Sequence, residues 1–264
     1  MFWDGRAPEY DAAIVMTVYM AVATLEEAIQ SIFDQQVGAD TRVQLIMGVD
    51  SSTDQTWELA QKLAMRAPGW VTVELFENEL PGVILGGRKT ARSNFMNCYS
   101  RIRAPVVLFL NCDDAWRTPT KLARQIAHVT ETGRAVCTSL ETEAPNLKRT
   151  NDEDTVRDPF RFGTTVLFSS FAMPYFPLTR RRLWWTVPFL DLPFLGLVWQ
   201  RYGIDRFTDE VTFYRINEGG AWSSQDNASK HRLIRQAVLQ MIVSGPYSLT
   251  NKWHLWKWYR GLRP

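Results

Sequence analysis

The sequence predicts an α/β fold in which a doubly wound, mostly parallel sheet is flanked by helices. Apolar, β-rich runs alternate with amphipathic helical patterns four times in the first half of the chain, as in parallel sheets with right-handed crossover helices. Residues 106–110 are apolar and β-branched, which is typical of a strand buried on both faces. The chain of 264 residues is long enough for one large domain with its own core.

The elements are predicted in chain order from hydrophobic periodicity. Short apolar runs predict strands over 13–19, 43–49, 70–76, 106–110, 134–140, 166–172 and 207–216. Repeats of 3.6 residues predict helices over 24–36, 57–63, 90–102, 119–131, 180–185, 190–202 and 229–243. The sequence predicts a capping box of Thr24 and Glu27 at the first helix, and an end of the last helix at Gly245. Residues 141–163 are polar, acidic and without periodicity, and a loop of that length is usually functional or disordered.

Composition excludes several classes of protein. No apolar run reaches the roughly 18 residues of a membrane span, and residues 1–11 contain no apolar signal core. The three cysteines form no CxxC pair and are odd in number, which predicts reduced thiols and a cytoplasmic location. With three histidines in the chain, a His-rich metal site is not expected.

Positive charge is concentrated at the C-terminal end. Residues 226–264 contain seven Lys or Arg and one acid, with four aromatic residues interleaved among the last cations: Trp253, Trp256, Trp258 and Tyr259. This segment fits peripheral contact with an anionic membrane at its inner face. Alternatively, its Trp rings pack back on the domain while its charges face water. The composition leaves both interpretations open.

Polar side chains follow the strand at 106–110 abruptly. Asn111, Asp113 and Asp114 must lie where water or a cation reaches them, because burying unpaired carboxylates is costly. Hard oxygen ligands beyond a strand end suit Mg²⁺ or Mn²⁺ with a phosphorylated substrate. The alternative is a strand-to-helix turn with an Asp helix cap, because Pro119 follows closely.

Two further polar segments follow neighbouring strands. They are Thr17-Val18-Tyr19 and the turn that begins at Asp50. Loops after parallel neighbours share one sheet edge, so an aromatic ring, a carboxylate and an acid pair there suit the base, ribose and pyrophosphate of a nucleotide. Arg88, Lys89 and Arg92, predicted at one helix start, are candidates to neutralise the phosphates.

Taken together, these motifs resemble glycosyltransferase family 2, the inverting nucleotide-sugar enzymes of GT-A fold. The similar segments are Thr17-Val18-Tyr19, Val49-Asp50-Ser51-Ser52-Thr53-Asp54, Ala91-Arg92-Ser93 and Leu110-Asn111-Cys112-Asp113-Asp114-Ala115-Trp116. The resemblance implies a single GT-A-like domain over 1–264. Within it, 12–117 would bind the nucleotide sugar, 118–225 would bind the acceptor, and 226–264 would form basic, Trp-rich helices.

The resemblance also implies residue roles. Tyr19 and Asp50 would contact the nucleoside base and Arg92 the nucleotide, while Asp113 would bind a divalent cation, Mn²⁺ or Mg²⁺, with Asn111 nearby. The other donor-binding candidates are Thr17, Val18, Arg88 and Cys112.

Asp191 is the one ionisable residue in a long apolar stretch. Burial there would raise its pKa, and the resemblance implies a general base that takes the proton of the acceptor hydroxyl. The alternative is a helix cap before Pro193.

The sequence also departs from the family pattern. Asn111 replaces the first Asp of the metal motif, Met20 an Asn, and Ser51 the second Asp of its turn. Leu192 stands where the catalytic acid pair has its second member, and Asn217 where a His is common. The loss of charge at Asn111 predicts weaker cation affinity.

The predicted function is that of an inverting hexosyltransferase, active in polysaccharide biosynthesis, that uses a UDP-sugar and a glycan or small-molecule acceptor. The acceptor is expected between residues 141–163 and the aromatic segment 168–185, although aromatic residues at this density are also typical of a core. The alternative is a degenerate nucleotide-sugar-binding or membrane-peripheral scaffold. A nucleotidyltransferase would normally have a Gly-rich N-terminal loop, which this sequence lacks, and nucleic acid is not an expected partner.

Overall fold

The computed structural model describes residues 7–79, 83–85, 88–142, 156–162, 166–178, 182–216 and 225–262. The strands are β1 (Ala12–Val18), β2 (Val43–Val49), β3 (Val71–Glu77), β4 (Val83–Leu85), β5 (Arg88–Thr90), β6 (Val106–Phe109), β7 (Ala115–Trp116), β8 (Ala135–Thr142), β9 (Phe171–Pro174) and β10 (Ile204–Tyr214). The helices are α1 (Leu25–Phe33), α2 (Thr56–Ala64), α3 (Arg92–Ser100), α4 (Lys121–Thr132), α5 (Pro159–Phe162), α6 (Arg182–Thr186), α7 (Asp191–Tyr202), α8 (Asn227–Ser244) and α9 (Leu249–Gly261).

Eight strands form one mixed, mostly parallel sheet in the order β3-β2-β1-β6-β9-β8-β10-β7. The first four of these run parallel, β9 is antiparallel to both of its neighbours, and β7 is antiparallel to β10 at the edge. The predicted α/β class and mostly parallel sheet are therefore confirmed. The sheet is mixed because β9 lies between β6 and β8 and runs antiparallel to both.

Helices cover both faces of the sheet, which explains why β1, β2 and β6 are apolar almost throughout. Successive residues of β1 alternate between two buried clusters: Ala13 and Val15 join the core with α3 and α7, while Ile14 and Met16 join the core with α1 and α2. Burial on both faces therefore fixes the register of β1, since a shift by one residue would exchange its two sets of side chains.

Gly48 permits the close packing of α3 on β2. A Cβ atom at Gly48 would lie 2.0 Å from Oδ1 of Asn94 and 2.8 Å from Sγ of Cys98. The Gly48 carbonyl accepts a hydrogen bond from Nδ2 of Asn94 at 2.7 Å. A side chain at this position would displace the helix that carries Arg92 at its first turn.

Three predicted boundaries differ from the structure. Arg88 and Lys89 lie in β5 rather than at a helix start, because a short hairpin with β4 precedes α3. A 3₁₀ turn at Phe168–Ser170 takes the first part of the strand predicted over 166–172, and β9 begins only at Phe171. The predicted loop at 141–163 contains the end of β8 and all of α5, while its residues 143–155 lie outside the described part of the chain.

The C-terminal segment forms two helices that pack on each other. Asp226 caps α8 by accepting a hydrogen bond from the Ser229 amide, and Ser248 caps α9 by accepting one from the Asn251 amide. Leu255 of α9 and Val238 of α8 are fully buried. In the described part of the chain, none of the helices has the length and apolar character needed to cross a membrane.

Candidate functional site

The carboxyl ends of the central strands meet at one edge of the sheet. Val18 pairs with Val49, and Val49 pairs with Glu77, so β1, β2 and β3 end side by side. The Asp50 amide donates to the Val18 carbonyl at 2.8 Å. This register brings the polar segments that follow the strands into one site, as their positions in the sequence predict.

The loop after β1 is held against the turn after β2. Met20 has a φ of +48°, a left-handed conformation that Asn adopts more readily than other non-glycine residues. Its amide donates to Oγ of Ser52 at 3.0 Å, and the Ala21 amide donates to Oγ1 of Thr56 at 2.9 Å. Tyr19 is 54% exposed at this rim.

Asp50 lies at the floor of the same edge. Its side chain is 5% exposed, and its Oδ1 accepts a hydrogen bond from Nδ2 of Asn78 at 2.8 Å. Oδ1 of Asn78 accepts in turn from Nδ2 of Asn97 at 3.1 Å. Sequence reasoning missed Asn78, although it directly follows β3 and the rule of a shared strand edge would have placed it here.

Asp114 organises the loop after β6. This carboxylate is 1% exposed and accepts hydrogen bonds from Oγ of Ser169, from Nδ2 of Asn111 at 3.1 Å and from the Arg215 amide at 3.0 Å. Burial, and then the neighbouring charge of Asp113, raise the pKa of Asp114 to about 7. Sequence reasoning missed Ser169, which lies in an otherwise apolar segment and carries no signal of a site.

Asp113 and Cys112 lie at the mouth of this loop. Asp113 is half-buried, and its carbonyl accepts a hydrogen bond from Nε of Arg215 at 3.1 Å. The Cys112 carbonyl accepts from Oγ1 of Thr24 at 2.8 Å. Burial raises the pKa of the Cys112 thiol, which lies beside the backbone of Tyr19, to about 12. Cys112 is therefore a neutral thiol between the β1 and β6 loops.

Asp191 is the first residue of α7. Its side chain reaches solvent, yet the protein that surrounds the carboxyl group desolvates it and raises its pKa to about 6. The N-cap position belongs to Leu190, and no side-chain hydrogen bond caps this helix. Asp191 is thus free of the capping role that the sequence left open.

Tyr214 connects Asp191 with the acids that follow β6. It is the last residue of β10 and half-buried. Burial raises the pKa of its phenol, followed by the charges of Asp114, Asp113 and Asp191. Carboxylates from the β6 loop and from α7 thus both contribute to the raised pKa of this phenol.

The remaining predicted donor-binding residues are less accessible. Val18 is fully buried in the core, and Thr17 is half-buried on the same strand. Arg92 is 2% exposed, and its guanidinium donates a hydrogen bond to the Val187 carbonyl. Burial lowers the pKa of Arg92 to about 10, so it stays charged at neutral pH beside the segment that leads to α7. The side chain of Arg88 lies outside the described residues.

Most of the aromatic segment is core. Phe171, Phe176 and Trp184 are at most 3% exposed and belong to one hydrophobic cluster, so they do not form an open sugar-stacking face. Tyr175 is half-buried and stacks on Tyr99 with ring centroids 5.7 Å apart. The side chain of Trp185 lies outside the described residues.

The donor set at Asp113 fits a divalent cation of the magnesium type. Such ions use one or two protein carboxylates together with substrate phosphates. Asp113 supplies a half-buried carboxylate in this loop, and Asp114 accepts hydrogen bonds from Ser169, Asn111 and Arg215. Among the described residues there is no group of three or more His, Cys, Asp or Glu that would hold a metal without the substrate. Asn217 lies outside those residues.

Comparison with known proteins assigns the chain to a family and shows similar solved structures. The family model described as "Glycosyl transferase family 2" matches residues 13–197. S. aureus TarS 1–349 in complex with UDP-GlcNAc is similar at a TM-score of 0.67 and 14% identity, over 95% of this chain and 72% of that chain. The mannosyltransferase PcManGT from Pyrobaculum calidifontis, in complex with GDP-Man and Mn²⁺, is similar at a TM-score of 0.63 and 16% identity. The similarity covers 98% of this chain and 74% of that chain.

The chain spans only part of a longer similar structure. It covers 43% of another S. aureus TarS structure, with a TM-score of 0.63 and 12% identity over 95% of this chain. None of the curated protein sequences matches this chain. At these identities, the solved structures establish a shared GT-A fold.

Proposed function

This chain belongs to glycosyl transferase family 2, and on that premise we propose that it transfers a hexose from a nucleoside diphosphate sugar, a UDP-sugar, to a hydroxyl group of a glycan or small acceptor. The observation that carries the proposal is that the loops after β1, β2 and β6, which contain Tyr19, Asp50 and Asp113, meet at one edge of the sheet and are joined there by hydrogen bonds. A UDP-GlcNAc complex of TarS and a GDP-Man complex of PcManGT support a nucleotide-sugar donor. The proposed pathway is polysaccharide biosynthesis.

The nucleoside would lie between the loops after β1 and β2. Tyr19 offers an exposed ring for the base, and Asp50 offers a carboxylate that Asn78 orients. Aromatic stacking tolerates different bases, so the hydrogen-bonding floor at Asp50 would discriminate between them.

Asp113 would hold the divalent cation, with Asn111 beside it. When bound, the cation neutralises the diphosphate and stabilises it as a leaving group. Asp114 would position this loop through a hydrogen bond from Asn111 within it and through hydrogen bonds from two other parts of the chain, at Ser169 and Arg215. Arg92 supplies a buried positive charge on the Asp191 side of the site.

Asp191 would be the general base. Its carboxylate takes the proton of the acceptor hydroxyl as that oxygen attacks the anomeric carbon from the face opposite the diphosphate. The bond between the anomeric carbon and the diphosphate oxygen breaks, its electron pair leaves with the diphosphate, and the configuration inverts. A base with a pKa of about 6 is largely ionised at neutral pH and still basic enough to accept this proton.

The first experiment measures thermal stability with UDP, GDP, dTDP and CDP, each with Mn²⁺, with Mg²⁺ and with EDTA. A ligand at 100 times its dissociation constant stabilises the folded protein by about 2.7 kcal/mol, which raises the melting temperature visibly. We expect UDP to stabilise the protein more than the other nucleotides, and to do so only with a cation. Asp113→Asn should abolish the rise in melting temperature that UDP and the cation produce together. Asp209→Asn should keep that rise, since Asp209 is an exposed acid of β10 that pairs with Arg124. Absence of a shift with every nucleotide would refute donor binding.

The alternative is a degenerate member that binds the donor without transferring the sugar. Asn111 and Leu192, where the family pattern has acids, favour that alternative. To separate the transferase from the scaffold, the wild type and Asp191→Asn are each incubated with UDP-sugar and candidate acceptors. A transferase releases UDP, and the variant loses that release. A scaffold is stabilised by the nucleotide but releases negligible UDP in both forms.

A further inference from the structure

The last helix presents a surface that sugar transfer does not use. Side chains spaced three and four residues apart lie along one side of α9, and we name them the α9 surface: Leu249, Lys252, Trp253, Trp256, Lys257 and Arg260. Leu249 is 88% exposed, Trp253 55% and Trp256 42%. On the opposite side, Leu255 is buried against the domain. The helix is therefore anchored by one side and leaves its Trp-rich side open.

The hairpin of α8 and α9 has one sign of charge. Residues 227–262 contain six Lys or Arg and no Asp or Glu. Exposed aliphatic side chains accompany the cations close to the turn between the helices: Leu239, Val243 and Leu249. Apolar side chains among unopposed cations suit a partner with a negative surface and an apolar layer beneath it.

A basic cavity adjoins the α9 surface. It has a volume of about 540 Å³ and is lined by Arg161, His254, Lys257 and Trp258. Nη2 of Arg161 lies 3.1 Å from Nε2 of His254, and Nε of Arg161 also pairs with Asp158 at 3.4 Å. Nζ of Lys257 lies 5.2 Å from the ring centroid of Trp253. Lys257 thus belongs to both the cavity and the Trp face.

A second copy of this chain fits the surface poorly. In a two-fold symmetric dimer the same patch meets itself, and residues 227–262 would bring six cations against six without an acid. Nucleic acid would use the cations and leave the exposed aliphatic side chains of the turn without a partner.

We propose that the α9 surface docks on a membrane rich in anionic lipid, with Trp253 and Trp256 at the level of the headgroups and the basic cavity against a lipid phosphate. Trp side chains are enriched at this depth because one end of the ring is apolar and the other polar. Each cation near such a surface increases binding about fivefold. Of the two interpretations of the C-terminal segment, packing on the domain holds for Trp258 and Tyr259, which lie against the core cluster, and membrane contact is the proposal for the exposed Trp253 and Trp256.

The test is flotation of the purified protein with phosphatidylcholine vesicles, with and without phosphatidylglycerol as about a third of the lipid. We expect binding to the anionic vesicles alone, and weaker binding as salt is raised because salt screens exposed charges. Lys252→Glu/Lys257→Glu/Arg260→Glu should lower binding by at least 100-fold, since three cations are removed and three anions added. Trp253→Ala/Trp256→Ala should weaken binding while the charge is unchanged.

Lys62→Glu/Met65→Ala is the matched control, since it changes an exposed cation of α2 and an apolar residue, 80% exposed, that directly follows this helix. It should bind vesicles like wild type, and all variants should keep the wild-type melting temperature and its shift with UDP. Equal binding to neutral vesicles, or unchanged binding in the α9 variants, would overturn the proposal. Failure to bind the anionic vesicles would also overturn it, and Trp-dependent self-association or RNA binding would then assign the α9 surface to a different partner. Because the UDP shift is measured separately, failure of donor binding is distinguishable from failure of membrane binding.

Discussion

The backbone amide of Arg215 donates a hydrogen bond to Oδ1 of Asp114 at 3.0 Å, which joins the end of β10 to the loop after β6. Nε of the same arginine donates to the Asp113 carbonyl at 3.1 Å, and its guanidinium pairs with Glu27 of α1. Arg215 therefore links three elements at the point where the cation would bind.

Arg215→Met should weaken binding of UDP with Mn²⁺. The variant loses the hydrogen bond to the Asp113 carbonyl and the pair with Glu27, so the loop is less well held in its binding conformation. Loss of one such hydrogen bond costs about 1 kcal/mol, which corresponds to about fivefold in the dissociation constant. Isothermal titration calorimetry measures this change.

Arg117→Met is the control for that experiment. Like Arg215, Arg117 pairs with Glu27, at 3.0 Å, and lies over the ring of Phe213. Its pair with Glu27 does not involve the loop of Asp113. We expect less than a twofold change in the dissociation constant. Equal weakening in both variants would assign the effect to Glu27 rather than to the Asp113 loop.

The rate of transfer should rise with pH through about 6 and level off above it. Asp191 must be ionised to accept a proton, and its pKa is raised to about 6, so the active form is lost as the pH falls below that value. Initial rates between about pH 5 and 8 at saturating donor measure this dependence. Asp191→Asn should lower kcat by about 10²- to 10⁴-fold, the contribution of a general base, without changing the melting-temperature shift with UDP. A wild-type profile that is flat across pH 6 would argue against Asp191 as the base.

Asn111→Asp should make stability depend on the cation. The substitution replaces an amide that donates to Asp114 at 3.1 Å with a second carboxylate, which repels the buried one. We expect a lower melting temperature than wild type in EDTA and a larger rise on addition of Mn²⁺. Ser51→Asp, which adds a carboxylate to the exposed turn after β2, should change neither value in this way. A variant that melts like wild type in EDTA would mean that the amide of Asn111 does not stabilise the loop.

Gly48→Ala should destabilise the protein by about 1–3 kcal/mol, the usual cost of overpacking a core. The added Cβ would lie 2.0 Å from Oδ1 of Asn94, which holds α3 against β2. Chemical denaturation measures the free energy of unfolding. Gly69→Ala, whose Cβ would meet nothing within 4 Å, should change it by less than about 0.5 kcal/mol. Equal values for the two variants would contradict the proposed close packing.

Some residues of the candidate site could be predicted from their positions directly after strands in the sequence. Asp50, Asn111 and Asp113 follow strands whose apolar character is plain, and parallel neighbours end at one edge. The same rule covers Asn78, which sequence reasoning overlooked. Arg88 lies in β5 rather than at the predicted helix start, because a strand of three residues is too short to show a hydrophobic pattern that differs from that of a helix.

The sequence by itself determined the α/β class and the family, because hydrophobic period and strand-end motifs are local properties of the chain. Only the tertiary structure decided that Asp114 is buried under Ser169 and Arg215, that the surrounding protein desolvates the Asp191 carboxyl group, and that the outer Trp residues of α9 face outwards. Those facts depend on contacts between residues far apart in the chain. Burial and desolvation arise only when such segments pack together, so no local pattern contains them.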